Sequence, residues 1–139
     1  MNNENKKKVK KWLLYLVEGI AHAEDDDWID FMLCQVYLSL ITVKSDFGND
    51  KDFDREEYIK KLCEDIKKAR IKQKELHRND DFDLDDWKLV IVEELGEMIQ
   101  AFNDRQYNNM EREGVQLLAL LLRFNDEFLN KKEKATLLT

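Results

Sequence analysis

Apolar residues recur at three- and four-residue spacing along almost the whole chain, the period of a helix with one face turned inward. The spacing predicts about five helices. The first covers about 7–23 and is broken by the acidic run Glu24 to Asp27. A second covers about 28–43, with Asp25 to Asp27 near the positive end of its dipole. Residues 45–54, with Gly48-Asn49-Asp50, carry the longest loop signal. In a third helix Tyr58, Leu62, Ile66 and Ala69 keep the apolar spacing, and Asp54 with Glu57 three residues on has the form of a capping box. A polar turn over 78–83 ends at Asp83, a good cap for a fourth helix over about 84–102. After a break at 103–109, Asn108 followed by Glu111 predicts the cap of a fifth helix over about 109–129, with Val115, Leu118, Leu121, Leu122 and Phe128 on its core face. The tail 131–139 is too short and polar to be read as structure.

Composition agrees with this pattern. A chain of 139 residues with no proline, 4 glycines, 38% charged and 43% hydrophobic residues is expected to be one all-α domain, a helical bundle of about five helices. Within it, 1–44 reads as an N-terminal helical hairpin and 54–130 as the remaining helices. Thirty acidic against 23 basic residues give a net charge of -7, which argues against nucleic acid held by phosphate neutralisation. Cys34 and Cys63 have no partner at metal-ligand spacing and read as reduced thiols. The lysine-rich start is followed by the apolar stretch 12–17, which ends at Glu18 without a cleavage pattern, so no secretion signal or membrane span is expected and the cytoplasm is the default location.

The chemistry concentrates in two acidic pairs, Glu93-Glu94-Leu95-Gly96-Glu97 and Glu113-Gly114-Val115-Gln116. Residues three apart share a helix face, so Glu94 projects with Glu97 and Glu113 with Gln116. If the two helices form an antiparallel hairpin, these oxygens converge, and crowded carboxylates either hold a proton between them or bind a hard cation. A charge run on a helix is usually a solvated face. Here the flanks Leu89 to Val92 and Leu95 to Ile99 leave the helix nearly apolar all round except at the glutamates, which favours a site. His22 and His77 stand alone and read as surface or capping residues, and Trp12, Trp28 and Trp87 as core. The acidic stretches 24–27 and 80–86 read as helix-start charge, with imitation of a nucleic-acid backbone as the weaker reading.

On these motifs the chain resembles the MazG-like branch of the all-α nucleoside triphosphate pyrophosphohydrolases, whose pattern is EExxE on one helix and ExxD on the next. Arg70-Ile71-Lys72-Gln73 resembles that family's RxxQ element, and Asp86-Trp87 falls where a tryptophan commonly precedes EExxE. The resemblance covers about 67–124. It implies magnesium, or alternatively manganese, held by Glu94, Glu97 and Glu113, with Glu93 and Gln116 as further ligands or supports. It also implies release of pyrophosphate and a nucleoside monophosphate from a nucleoside triphosphate, with Lys68, Arg70, Lys72 and Gln73 toward the substrate, and a homo-oligomer. No membrane or nucleic-acid partner is implied.

Three departures accompany the resemblance. Gln116 replaces the expected aspartate and brings an oxygen without charge, although some family members carry a similar Glu-x-x-Gln. The family's KxxxNxxR-like element has no clear match after Phe128, and the first sixty or so residues have no counterpart in a minimal member. The N-terminal hairpin then has two readings. Setting Trp12 on Trp87 places Glu18, Gly19 and His22 on Glu93, Glu94 and Glu97, with Gln35 on Gln116, as in a degenerate duplication. Alternatively the hairpin supplies the missing helix of the bundle. The glutamine and the hairpin also keep open a catalytically weak or inactive descendant, a nucleotide- or protein-binding regulator or inhibitor.

Overall fold

The computed structural model describes residues 1–23, 26–47, 53–76 and 81–130, and these form an all-α bundle. The helices are α1 (Asn3–Ile20), α2 (Asp26–Phe47), α3 (Arg55–Leu76), α4 (Leu84–Asn103) and α5 (Tyr107–Phe124), and α5 runs on into a π-helical turn, Asn125–Leu129. Among the described residues there is no strand. Two hairpins, α1–α2 and α4–α5, pack core to core, with α1 against α4 and α2 against α5. Helix α3 lies mainly on α5.

Capping explains several boundaries. Asn2 accepts from the Asn5 N–H at 2.8 Å and starts α1 earlier than the apolar pattern predicts. Asp54 accepts from the N–H groups of Glu56 and Glu57 at 3.0 and 3.3 Å, so the expected cap of α3 is present. All four predicted apolar positions of α3, Tyr58, Leu62, Ile66 and Ala69, are buried. Helix α2 extends to Phe47, three residues into the expected loop, while Gly48-Asn49-Asp50, His77 and the tail 131–139 lie outside the described residues.

The start of α5 corrects the sequence expectation. Asn108 lies inside the helix, and the N-cap is Gln106, whose side chain makes no capping bond. What reverses the chain is the end of α4. Gln106 N–H donates to the Ala101 carbonyl at 2.9 Å and Arg105 N–H to the Phe102 carbonyl at 3.1 Å, with Arg105 left-handed at φ 59°. This is the Schellman pattern, here with arginine where glycine is usual. Glu111, expected to serve the cap, is turned instead to α3, where it accepts from the Tyr58 hydroxyl at 2.7 Å and stands 3.5 Å from Lys61 Nζ.

The alignment of the hairpins pairs some buried positions with buried ones, although Trp12, on which it rests, is only partly buried and Trp87 is buried. Leu16 and Ile91, Ile20 and Leu95, Val36 and Leu117, Leu40 and Leu121, and Val43 and Phe124 are all buried. At the positions of Glu94 and Glu113 the first hairpin has Gly19 and Met32, and a Cβ on Gly19 would lie 3.3 Å from Met32 Cγ. No region of the described residues forms a helix long and apolar enough to cross a membrane.

Candidate metal centre and adjoining cavity

The placement of the acids begins with two local devices. Asp83 and Asp86 form a reciprocal capping box at the start of α4, with Asp86 N–H to Asp83 Oδ1 at 2.8 Å and Asp83 N–H to Asp86 Oδ2 at 3.0 Å. From that start Trp87, Ile91, Leu95, Met98 and Phe102 turn into the core, which carries Glu94 and Glu97 together to the flank. On α5, Gly114 sets the close approach to α2. A Cβ there would lie 2.9 Å from both methyl carbons of Leu40. With that glycine against α2, its neighbour Glu113 reaches the Glu94 and Glu97 side of α4.

The three carboxylates meet as the spacing predicts. One oxygen each from Glu94, Glu97 and Glu113 lies within 4.8 Å of the others. Glu94 and Glu113 are partly buried and Glu97 is exposed. Burial pushes the Glu94 carboxyl up to about 7, with the charges of Glu97, Glu113 and Glu93 and a hydrogen bond to Glu113 acting in the same direction. The hydrogen bond with Glu113 likewise raises Glu97, followed by its partial desolvation and by the charge of Glu113. Glu94 Oε2 is closed off from solvent and has no hydrogen-bond partner. A buried acceptor of this kind is costly unless a proton or cation meets it.

A cavity of about 360 Å³ adjoins the acids. Glu93 and Glu94 form one wall, Leu76, Phe82, Val90 and Leu120 supply apolar surface, and Lys72, Gln73, Gln116 and Arg123 complete the lining. Gln73 Nε2 donates both to the Gln116 main-chain carbonyl at 3.1 Å and to Gln116 Oε1 at 3.0 Å. A main-chain carbonyl can only accept, so the Gln73 amide is fixed with its NH₂ toward α5, and Gln116 offers its side-chain oxygen to Gln73.

The other expected substrate residues separate. Lys72 faces both the acid-lined cavity and a second groove of about 310 Å³, which it shares with Lys68, Asp65, Asn108 and Arg112. Arg70 is paired with Asp126 on the π-helical turn. Glu93 is exposed at the cavity wall.

Sequence reasoning missed Arg123, which is 1% exposed, bonds Glu127 Oε2 through Nε at 2.9 Å and lies 5.8 Å from the Trp87 ring centroid. The available signal was a cation at the end of the apolar run 117–122. His22 is exposed and stacked on Trp28 at 5.0 Å, and Cys34 and Cys63 are exposed free thiols. No family model matches the chain, and no curated protein or solved structure matches it.

Proposed function

We propose that this protein is a magnesium-dependent hydrolase that cleaves a nucleoside triphosphate to a nucleoside monophosphate and pyrophosphate, with Glu94, Glu97 and Glu113 holding the cation. The observation that carries the reading is the convergence of carboxylate oxygens of Glu94, Glu97 and Glu113, from two helices, within 4.8 Å of one another, together with a Glu94 Oε2 that is buried without a hydrogen-bond partner. That donor set is hard and anionic, as magnesium requires, and manganese would also suit it. Burial raises Glu94 and the hydrogen bond with Glu113 raises Glu97, and the repulsion among the carboxylates that adds to both is what a divalent charge would relieve. Magnesium bound there would set positive charge against the phosphates and make water a competent nucleophile near neutral pH.

The chain's own residues then have separate tasks. Phe82, Val90 and Leu120 offer apolar surface to a base, and the cavity is of the size that ordinary small-molecule sites have. Lys72 stands between cavity and groove, where the ammonium would meet the outer phosphates, with Lys68 further along the groove. Gln73 holds Gln116 in place rather than leaving its amide to turn. The resemblance of EExxE and ExxQ to the MazG-like pattern supplies the choice of reaction.

A second reading is favoured by Gln116, whose side-chain oxygen is engaged by Gln73 and brings no charge to the acids. On that reading the same cavity binds a nucleotide or a protein partner without turnover, in a regulatory role. A panel of canonical and modified nucleoside triphosphates, assayed for pyrophosphate with and without magnesium, separates the two. Magnesium-dependent release lost in Glu97→Gln supports hydrolysis, and Gln116→Asp is expected to raise the rate. No turnover of any member of the panel, by the wild type or by Gln116→Asp, would refute it.

A further inference from the structure

One arginine is buried among the apolar residues of α5, and it stands on the wall of the acid-lined cavity. Every other buried residue of that helix is apolar or glycine. Among the described residues Arg123 is the only charged one that is buried. A buried ion pair adds little to stability beyond what apolar residues packed in its place would give, so cohesion alone does not account for Arg123 and Glu127. The pair is placed where a ligand would meet it. Arg123 Nε donates to Glu127 Oε2 at 2.9 Å, the guanidinium lies 5.8 Å from the Trp87 ring centroid, and the residue lines the cavity of about 360 Å³.

The cavity has a direction. On α5, Glu113, Gln116, Leu120 and Arg123 fall in one stripe at three- and four-residue spacing, and Glu97, Glu94 and Val90 do so on α4. The Trp87 and Phe124 rings meet at 5.6 Å while Glu94 and Glu113 converge, so the two helices run antiparallel. The acids therefore lie toward one end and Arg123 at the other, about 15 Å from Glu113 along the helix axis. Between them Val90, Leu120 and half-buried Phe82 supply apolar walls, and Phe82 is set at 74° to the Trp87 ring, 5.6 Å away. Lys72 and Gln116, which the second groove shares, mark the acid end. With phosphates at the cation and Lys72, a base would be carried along these walls to the guanidinium.

Given a nucleotide in this cavity, a premise taken from the hydrolase reading, the geometry points to Arg123 as the residue that selects the base, with the 6-oxopurines guanine and hypoxanthine as the preferred class. Arginine carries only donors, set in a planar fork. A 6-oxopurine presents two acceptors side by side, O6 and N7, which two N–H groups meet together. Adenine puts an amino donor where O6 would be, so N–H would face N–H, and pyrimidines have no counterpart of N7. The bond from Nε to Glu127 fixes the plane of the guanidinium, so the choice falls to a rigid group, with Glu127 as its positioning residue. In a site closed to water, donors left unmatched by the wrong base cost more than they would on the surface.

Calorimetric titration of the full chain with magnesium and the α,β-methylene triphosphates of guanine, hypoxanthine, adenine, uracil and cytosine nucleosides tests this, because these analogues bind without being cut. Guanine and hypoxanthine are expected to bind at least about tenfold more tightly than the others, and 7-deazaguanine, which lacks the N7 acceptor, to bind about tenfold more weakly than guanine. Arg123→Gln should reverse the order, since an amide pairs with N6 and N7 of adenine. The ratio of the two affinities does not depend on the folded fraction, and if the variant fails to fold, the 7-deazaguanine comparison on the wild type decides. Equal affinity for all the bases, no binding of any, 7-deazaguanine bound as tightly as guanine, or a guanine preference unchanged in Arg123→Gln overturns the proposal. Pyrophosphate released from the parent triphosphates without a guanine preference refutes base selection by Arg123 and leaves the hydrolase reading standing. Guanine-selective binding without release supports the role of Arg123 and refutes hydrolysis.

Discussion

Replacing Glu94 by glutamine should stabilise the metal-free protein, and by an amount that depends on pH. Burial and the neighbouring carboxylates raise Glu94 from 4.5 to about 7, so between those values the folded state holds a proton that the unfolded chain has released. Stability from this group is therefore fully present below pH 4.5 and is lost as the pH rises through about 7. At roughly 1.4 kcal/mol per pH unit the ceiling is about 3 kcal/mol, and screening of a partly exposed cluster reduces it to about 1–2 kcal/mol. Glutamine is neutral throughout and keeps the shape of the protonated acid. The difference between Glu94→Gln and wild type should be near zero at pH 4.5 and grow to about 1–2 kcal/mol in favour of the variant at pH 8, or about 3–8 °C in Tm. Urea unfolding followed by circular dichroism at several pH values, with divalent ions chelated, measures that difference, and the other titrations common to both chains cancel. Magnesium should then raise the stability of the wild type more at pH 8 than at pH 5, because binding has to displace the proton, and should raise the variant less at both. A variant less stable than wild type at pH 8, or a gap that is equal at pH 5 and pH 8, would refute the reasoning.

Two further predictions concern the backbone. Arg105 occupies the left-handed position of a Schellman motif at φ 59°, where a Cβ is unfavourable, so Arg105→Gly should gain about 1 kcal/mol in chemical unfolding. Gly96 and Gly114 should respond in opposite directions to alanine. Gly96→Ala enters open space on a helix and should gain up to about 1 kcal/mol, whereas Gly114→Ala meets the buried Leu40 at 2.9 Å and should lose about 1–2 kcal/mol in spite of its better helix propensity.

How far the fold was legible depended on where its determinants lie. Period and capping are local, so α3 and α4 followed from their apolar spacing and from Asp54 and Asp83. The meeting of Glu94, Glu97 and Glu113 was also accessible, because a short connection forces α4 and α5 to be antiparallel neighbours. The start of α5 was misread for a local reason as well. The Schellman turn has arginine in place of the usual glycine, and Gln106 makes no side-chain cap, so Asn108 looked like the better signal. The cavity was beyond reach because Gln73, Phe82 and Arg123 come from separate stretches of the chain and meet only after packing. The apolar look of α4 had two causes that a sequence cannot separate. Trp87 and Ile91 face the core, while Leu89 and Val92 face out.

The contrast between the two hairpins at the level of the acids has a consequence for how the charge is borne. One hairpin carries the carboxylates and the repulsion that comes with them, while its counterpart holds a glycine packed on a methionine at the corresponding place. The burden of charge and the work of cohesion are thus divided between two halves of similar build.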